Sequence, residues 1–172
     1  MVVVRVPKHD ELSLSTALDA GAAGIVIPHC ESAQEVKDFI KEAYYGMRPN
    51  SLDASRCLLF MIGPIGQRSF SPWTFTPGLT SSLYPNDPYN VATSNNHVCI
   101  IAQVESVKGI ENVDEIAAVE GVSGLMFGPG DYIIDTGLDL NKVLAGTPEP
   151  AFLEAMGKFN AAAATHDLPI FG

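Results

Sequence analysis

Short apolar runs alternate along the chain with segments whose apolar residues recur at helical spacing. Val2–Val6 and Gly24–Ile27 are the first two runs, and a proline directly follows each of them. Between them, the apolar positions of Glu11–Ala20 recur every three or four residues, which predicts a helix. Ser32–Glu35 has the spacing of a capping box and predicts the start of a second helix. We therefore expect Val2–Val6 to form a buried strand, followed by a helix, a strand and a helix.

This alternation is interrupted after Gly46 and resumes more than fifty residues later. A strand–helix repeat of this kind is typical of a parallel sheet covered by helices. The chain is therefore predicted to be a single α/β domain with five such strands. Its remaining predicted elements are a strand at Val98–Val104, a helix marked by Ile110, Val113 and Ala117, a strand at Gly124–Phe127, a helix opened by Pro150 with Phe152, Met156, Phe159 and Ala163 facing inward, and a strand at Leu168–Phe171.

Composition narrows the class of protein. Of the 172 residues, 47% are hydrophobic and 17% are charged, which excludes a disordered, highly charged chain. The formal net charge of −10 argues against a nucleic-acid partner, because phosphate binding needs a basic face. No apolar run approaches the roughly 18 residues of a membrane span, so we expect no membrane partner. Cys30, Cys57 and Cys99 form no CxxC motif, which favours a reducing compartment and predicts a cytoplasmic location.

Polar residues end the strand Val98–Glu105. Side chains alternate across a strand, so Gln103 and Glu105 share a face that does not meet the helices. In parallel α/β barrels, active sites form at the carboxyl ends of the strands. Gln103 and Glu105 are therefore candidate site residues. A hydrogen-bonded polar pair at a strand end is the alternative interpretation.

The motif Gly128-Pro-Gly-Asp131 follows the next strand, so Asp131 should emerge on the same edge as Glu105. Two carboxylates there would hold a hard divalent ion such as Mg²⁺ and leave positions for water and substrate oxygens. Gly128 and Gly130 permit close approach of the backbone to a ligand. The alternative is a Gly-Pro turn in which Asp131 is simply a helix N-cap.

Three further residues are candidates, each with a structural alternative. Arg68 follows a glycine-rich turn and would stabilise an enolate oxygen or a carboxylate, or would lie on the surface. His29 ends a strand on the same edge and would be a base or would cap the loop. Tyr89 would donate a hydrogen bond to substrate or would only pack.

Taken together, these residues resemble the HpcH/HpaI aldolase/citrate lyase family of metal-dependent pyruvate aldolases. The resemblance covers nearly all of the chain except residues 47–62. Four segments match the family as a whole and three more match one of its subgroups: Leu18–Pro28, Gly66–Arg68, Gln103–Glu105 and Gly128–Asp131, and then Pro7–Asp10, Ser69–Trp73 and Asn86–His97.

The resemblance implies a site residue by residue. Glu105 and Asp131 are similar to the ligands of Mg²⁺, with Mn²⁺ or Co²⁺ as substitutes. Arg68 resembles the arginine that contacts the keto or enolate oxygen of pyruvate. The resemblance therefore implies that Arg68 is a catalytic residue. The backbone amides of Gly130 and Asp131 would bind the pyruvate carboxylate. The full substrate-binding set is Arg68, Tyr89, Gln103, Gly130 and Asp131.

The chemistry implied by the resemblance is cleavage of a carbon–carbon bond in a small 2-oxo acid. Oxaloacetate is decarboxylated, or a 4-hydroxy-2-oxo acid is cleaved, through a metal-bound pyruvate enolate. The metal is a Lewis acid for the developing negative charge. The resemblance also implies a homo-oligomer of the family type.

The chain also departs from the family. The family fold is a (β/α)8 TIM barrel of the phosphoenolpyruvate/pyruvate type, and this chain matches its third to seventh strands. We expect a partial barrel of about five strands with two exposed edges, lacking the family's His–Asp acid/base pair. The alternative function is therefore a catalytically impaired fragment that keeps part of the metal and pyruvate site. The atypical insert at 47–62 should be poorly packed and is interpreted as a gene-model artefact.

Overall fold

A computed structural model of the protein describes residues 2–46, 66–69 and 94–171. Two features predicted from the sequence, the insert at 47–62 and the candidate residue Tyr89, lie outside these ranges. None of the helices in the described ranges is long and apolar enough to cross a membrane.

In these ranges five parallel strands form one sheet, in which their spatial order is the same as their order along the chain. This confirms the predicted α/β class with five strands. Within the described part of the chain, the first and last strands each pair with a single neighbour, so the sheet is open at both edges. The strands are β1 (Val3–Arg5), β2 (Gly24–Ile27), β3 (Cys99–Val104), β4 (Val122–Phe127) and β5 (Ile170–Phe171).

Helices connect these strands and cover one face of the sheet. The two helices predicted to begin near residues 33 and 150 are both present. The helices are α1 (Glu11–Asp19), α2 (Ala33–Ala43), α3 (Val107–Glu111), α4 (Val113–Ala117), α5 (Pro129–Thr136), α6 (Leu140–Leu144) and α7 (Pro150–Thr165), and a 3-10 turn occupies Ser94–His97.

Side-chain caps begin the first two helices. The Asp10 carboxylate accepts a hydrogen bond from the Ser13 amide at 3.0 Å and starts α1. The Ser32 hydroxyl accepts from the Glu35 amide at 3.3 Å and starts α2. The predicted capping box differs in its second half, because the Glu35 carboxylate accepts from the amide of Glu31 at 3.1 Å rather than from that of Ser32.

The core lies between the helices and the helix-facing side of the sheet. Ile100, Ala102 and Val104 of β3 belong to this core, as their alternation predicts. Gln103 lies on the opposite face of the strand. The alternation therefore places the apolar residues of β3 under the helices and leaves its polar residues for the other face.

Three details differ from the sequence prediction. The strand β1 is not buried, with Val3 40% exposed, because it has a described neighbour on one side only. The helix predicted around Ile110 is divided at Asn112, whose side chain turns to donate to the Glu31 carbonyl at 2.8 Å. On α7, Met156 is exposed, and Ala155 is buried against the core instead.

Candidate metal and substrate site

Parallel strands bring their carboxyl ends to one edge of the sheet, called here the carboxyl edge. His29 follows β2 at this edge, Glu105 follows β3, and Asp131 lies in the first turn of α5 after β4. One ligand atom from each of the three side chains lies within 4.8 Å of the other two. The structure therefore brings together the two carboxylates that the sequence predicts as metal ligands, and the His29 ring lies beside them.

The two oxygens of Glu105 have different surroundings. Glu105 is 1% exposed, and its Oε1 accepts the His29 amide at 2.9 Å. The His29 Nδ1 lies 3.4 Å from the same oxygen. Oε2 is buried and has no hydrogen-bond partner among the described residues. Leaving a buried acceptor unsatisfied costs free energy, so Oε2 marks a position where a cation or a donor would bind favourably.

Burial raises the pKa of the Glu105 carboxyl above its usual range. The neighbouring Asp131 carboxyl raises this pKa further, while His29 acts in the opposite direction. A pair of carboxyl groups in this arrangement favours an added positive charge, either a proton or a metal ion.

Gly128 makes the approach of α5 to Glu105 possible. It is the N-cap of α5, and a Cβ atom built on it would overlap Glu105 Oε2 and lie 2.5 Å from Glu105 Cβ. Because Gly128 is the cap, the alternative that Asp131 serves as helix N-cap is wrong. Gly130 faces open space, with no described atom within 4 Å of its would-be Cβ.

Gln103 lies beside Glu105 on the same face of β3 and is 9% exposed. Its Oε1 accepts a long hydrogen bond of 3.5 Å from Nη1 of Arg5, which is exposed at the carboxyl end of β1. Sequence reasoning missed Arg5. The sequence feature that could have identified it is a positively charged residue within the apolar run Val2–Val6, at the end of a predicted strand.

Arg68 lies elsewhere, and its predicted place beside the metal ligands is not met. Its guanidinium pairs with Asp19 and lies 4.6 Å from the centre of the Tyr45 ring. Asp19 ends α1, which runs back from the carboxyl edge, so this pair lies at the amino end of the strands. The glycine-rich sequence before Arg68 indicated a loop but not which end of the sheet the loop would reach.

The sequence profile of the HpcH/HpaI aldolase/citrate lyase family matches residues 1–171. The chain therefore belongs to this family. It is 32% identical over 136 residues to a 4-hydroxy-2-oxovalerate aldolase of Novosphingobium aromaticivorans, a match that covers 79% of this chain and 43% of the relative. It is 33% identical over 135 residues to a hydroxypyruvate/pyruvate aldolase of Roseovarius nubinhibens, covering 78% and 44%.

Among solved structures, macrophomate synthase is similar to the chain at 65% identity, with a TM-score of 0.81. That match covers 100% of this chain and 52% of the macrophomate synthase chain. An HpcH/HpaI aldolase of Desulfitobacterium hafniense DCB-2 is 28% identical with a TM-score of 0.73, covering 99% and 56%. The chain thus spans about half the length of these relatives, and its five strands form part of the family's TIM-barrel-type fold.

Proposed function

We propose that this chain carries the metal and substrate site of a carbon–carbon lyase of the pyruvate aldolase or oxaloacetate decarboxylase type. One observation carries the proposal. Glu105 Oε2 is buried without a partner in the described part of the chain, directly beside Asp131. Aldolase relatives of the chain support the reaction class.

Glu105 and Asp131 fit a hard divalent cation such as Mg²⁺, with Mn²⁺ or Co²⁺ as substitutes. Carboxylate oxygens are the ligands these ions prefer, and two carboxylates leave several positions for water and substrate oxygens. A cation would satisfy the unpartnered Oε2 and offset the mutual repulsion of the two carboxylates. When bound, it supplies a Lewis acid for the negative charge that develops on the substrate oxygen.

The start of α5 fits the carboxylate of a 2-oxo acid. Gly130 and Asp131 are the second and third residues of this helix, so their amide N–H groups have no partner within the helix. Helix N-termini bind anions through such amides and through the helix dipole. Among the described residues, no atom lies within 4 Å of a Cβ built on Gly130, which leaves room for the ligand.

Arg5 and Gln103 fit the keto oxygen of the substrate. A guanidinium is permanently charged and stabilises the negative charge of an enolate oxygen. We therefore assign to Arg5 the catalytic role that the sequence assigned to Arg68. The Gln103 amide, held by Arg5, is a second substrate contact. Tyr89 stays a proposed substrate contact, and a family-type homo-oligomer and a cytoplasmic location also stay predictions.

A catalytically impaired fragment is the second candidate. The chain covers 43% of the aldolase of N. aromaticivorans and 52% of macrophomate synthase, and the site proposed above is built from the described residues alone. Such a fragment would bind the cation and a 2-oxo acid through the carboxyl edge but would turn substrate over slowly.

Calorimetry with Mn²⁺ and an oxaloacetate decarboxylation assay with and without Mg²⁺ test the proposal. We expect cation binding and cation-dependent decarboxylation in the wild-type chain, and loss of both in Glu105→Gln. Glu154→Gln is the matched control, because it removes an equal charge from an exposed ion pair on α7. Equal cation binding in wild type and Glu105→Gln would contradict the metal site. Binding without turnover would support the impaired fragment.

A further inference from the structure

His29 has an unusual backbone conformation. Its φ is +48°, in the left-handed region that non-glycine residues rarely adopt. A conformation of this kind costs free energy and persists only where the surrounding structure enforces it, often at functional sites. The residue lies at the carboxyl edge, between β2 and α2.

Three hydrogen bonds hold the turn around His29. Its carbonyl accepts from Lys8 Nζ at 2.8 Å. The amide of the next residue, Cys30, donates to the Gln103 carbonyl at 2.9 Å. The His29 amide itself donates to Glu105 Oε1 at 2.9 Å. The turn is thus attached to the loop after β1 and to β3, and the His29 amide is held against the carboxylate of Glu105.

The following inference rests on the proposed function. We propose that His29 is a positioning residue, and that its left-handed turn determines which carboxylate oxygen of Glu105 binds a cation. The His29 amide occupies Oε1, so Glu105 offers Oε2 alone and binds the cation through that one oxygen. Gly128 lies against the same carboxylate at Oε2 and leaves space there because it has no Cβ.

The role of the hydrogen bond follows from the rotational freedom of a glutamate carboxylate. The last torsion of a glutamate side chain is broad and roughly two-fold, so an unheld carboxylate exchanges its two oxygens easily. A hydrogen bond to one oxygen removes this freedom before the cation arrives. Hydrogen-bonded partners that orient a metal ligand are worth about 10- to 100-fold in metal affinity.

The test compares variants that differ in their tolerance of the left-handed conformation. Glycine and asparagine adopt it readily and keep the amide, whereas valine resists it because it is branched at Cβ. We expect His29→Val to lower Mn²⁺ affinity about 10- to 100-fold in calorimetry, with His29→Gly and His29→Asn close to wild type. His29→Ala provides a milder second variant should His29→Val fail to fold.

Asp167→Val is the matched control, because Asp167 also has a left-handed backbone, with φ +53°, but lies between α7 and β5 away from Glu105. It should lose stability without losing Mn²⁺ affinity. Wild-type affinity in folded His29→Val, or an affinity of His29→Gly as low as that of His29→Val, would overturn the assignment to the backbone turn. Absence of Mn²⁺ binding in the wild type would instead overturn the proposed function.

Discussion

Gly128 and Glu105 are packed so closely that residue 128 has no room for a side chain. A Cβ atom at Gly128 would overlap Glu105 Oε2, the oxygen that has no hydrogen-bond partner in the described ranges. The start of α5 and the end of β3 therefore meet around this one carboxylate. This contact brings the helix amides and the proposed cation position together in a single site.

Replacing Gly128 with alanine should weaken cation binding. The φ of Gly128 is −102°, which alanine tolerates, so the expected effect is displacement of the Glu105 carboxylate and not backbone strain. We expect Mn²⁺ affinity in calorimetry to fall about 10- to 100-fold, the usual effect of disturbing the support of a metal ligand. Gly130→Ala is the control, since no atom of the described residues lies within 4 Å of its would-be Cβ. Equal effects of the two substitutions on Mn²⁺ affinity would contradict this prediction.

Substitutions of Arg5 and Arg68 should affect different properties, pyruvate binding for Arg5 and the free energy of unfolding for Arg68. Arg5→Ala should weaken binding of pyruvate to the cation-loaded protein, because Arg5 lies beside Gln103 in the proposed substrate site. The free energy of unfolding should change little, because Arg5 is exposed and contributes little to the core. Calorimetry with pyruvate and Mn²⁺ measures this change. Unchanged pyruvate affinity in Arg5→Ala would remove Arg5 from the substrate site.

Arg68→Ala should instead lower the free energy of unfolding. The guanidinium is buried between Asp19 and Tyr45, and its removal leaves a partly buried carboxylate without its partner. A loss of about 1–3 kcal/mol is expected for a buried polar group that loses its charged partner. Urea denaturation measures it, and Lys41→Ala, at an exposed ion pair, is the control with little expected effect. A stable Arg68→Ala that no longer binds pyruvate would restore the original assignment.

Decarboxylation of oxaloacetate should survive better in this chain than aldol cleavage. Loss of CO₂ produces the enolate directly, so charge stabilisation by Arg5 and a cation is the main requirement. Aldol cleavage also needs a positioned base for the substrate hydroxyl, a contribution of about 10²–10⁴-fold. Measuring both rates on the same purified protein tests this order. A faster aldol cleavage than decarboxylation would contradict it.

Cys30 should be inert toward thiol reagents in the folded protein. Burial raises the pKa of its thiol to about 12, and its Sγ donates to the Ile27 carbonyl at 3.3 Å. At neutral pH the reactive thiolate is therefore scarce. Iodoacetamide labelling followed by peptide mass spectrometry should modify Cys30 only after denaturation. Rapid modification in the native state would show that the region around β2 opens readily.

Local patterns predicted several elements because the forces that form them act over a few residues. The bounds of β2 are those of the apolar run that a proline ends, and the Ser32 cap begins α2 as its spacing predicts. Alternation along β3 assigned Gln103 to one face and Ile100 to the other. The division of the helix at Asn112 escaped prediction, and Asn112 is held by a hydrogen bond to Glu31, 81 residues away, which no local pattern records.

By itself, the sequence determined the α/β class, the parallel order of the strands and the pairing of Glu105 with Asp131 on one edge. These follow from periodicity and from the rule that parallel strands end together. Only the tertiary structure decided which arginine reaches that edge. Arg5 reaches it from the end of β1, whereas Arg68 is paired with Asp19 at the opposite end of the sheet. The physical reason is that the position of a guanidinium depends on contacts between distant segments, which no local pattern records.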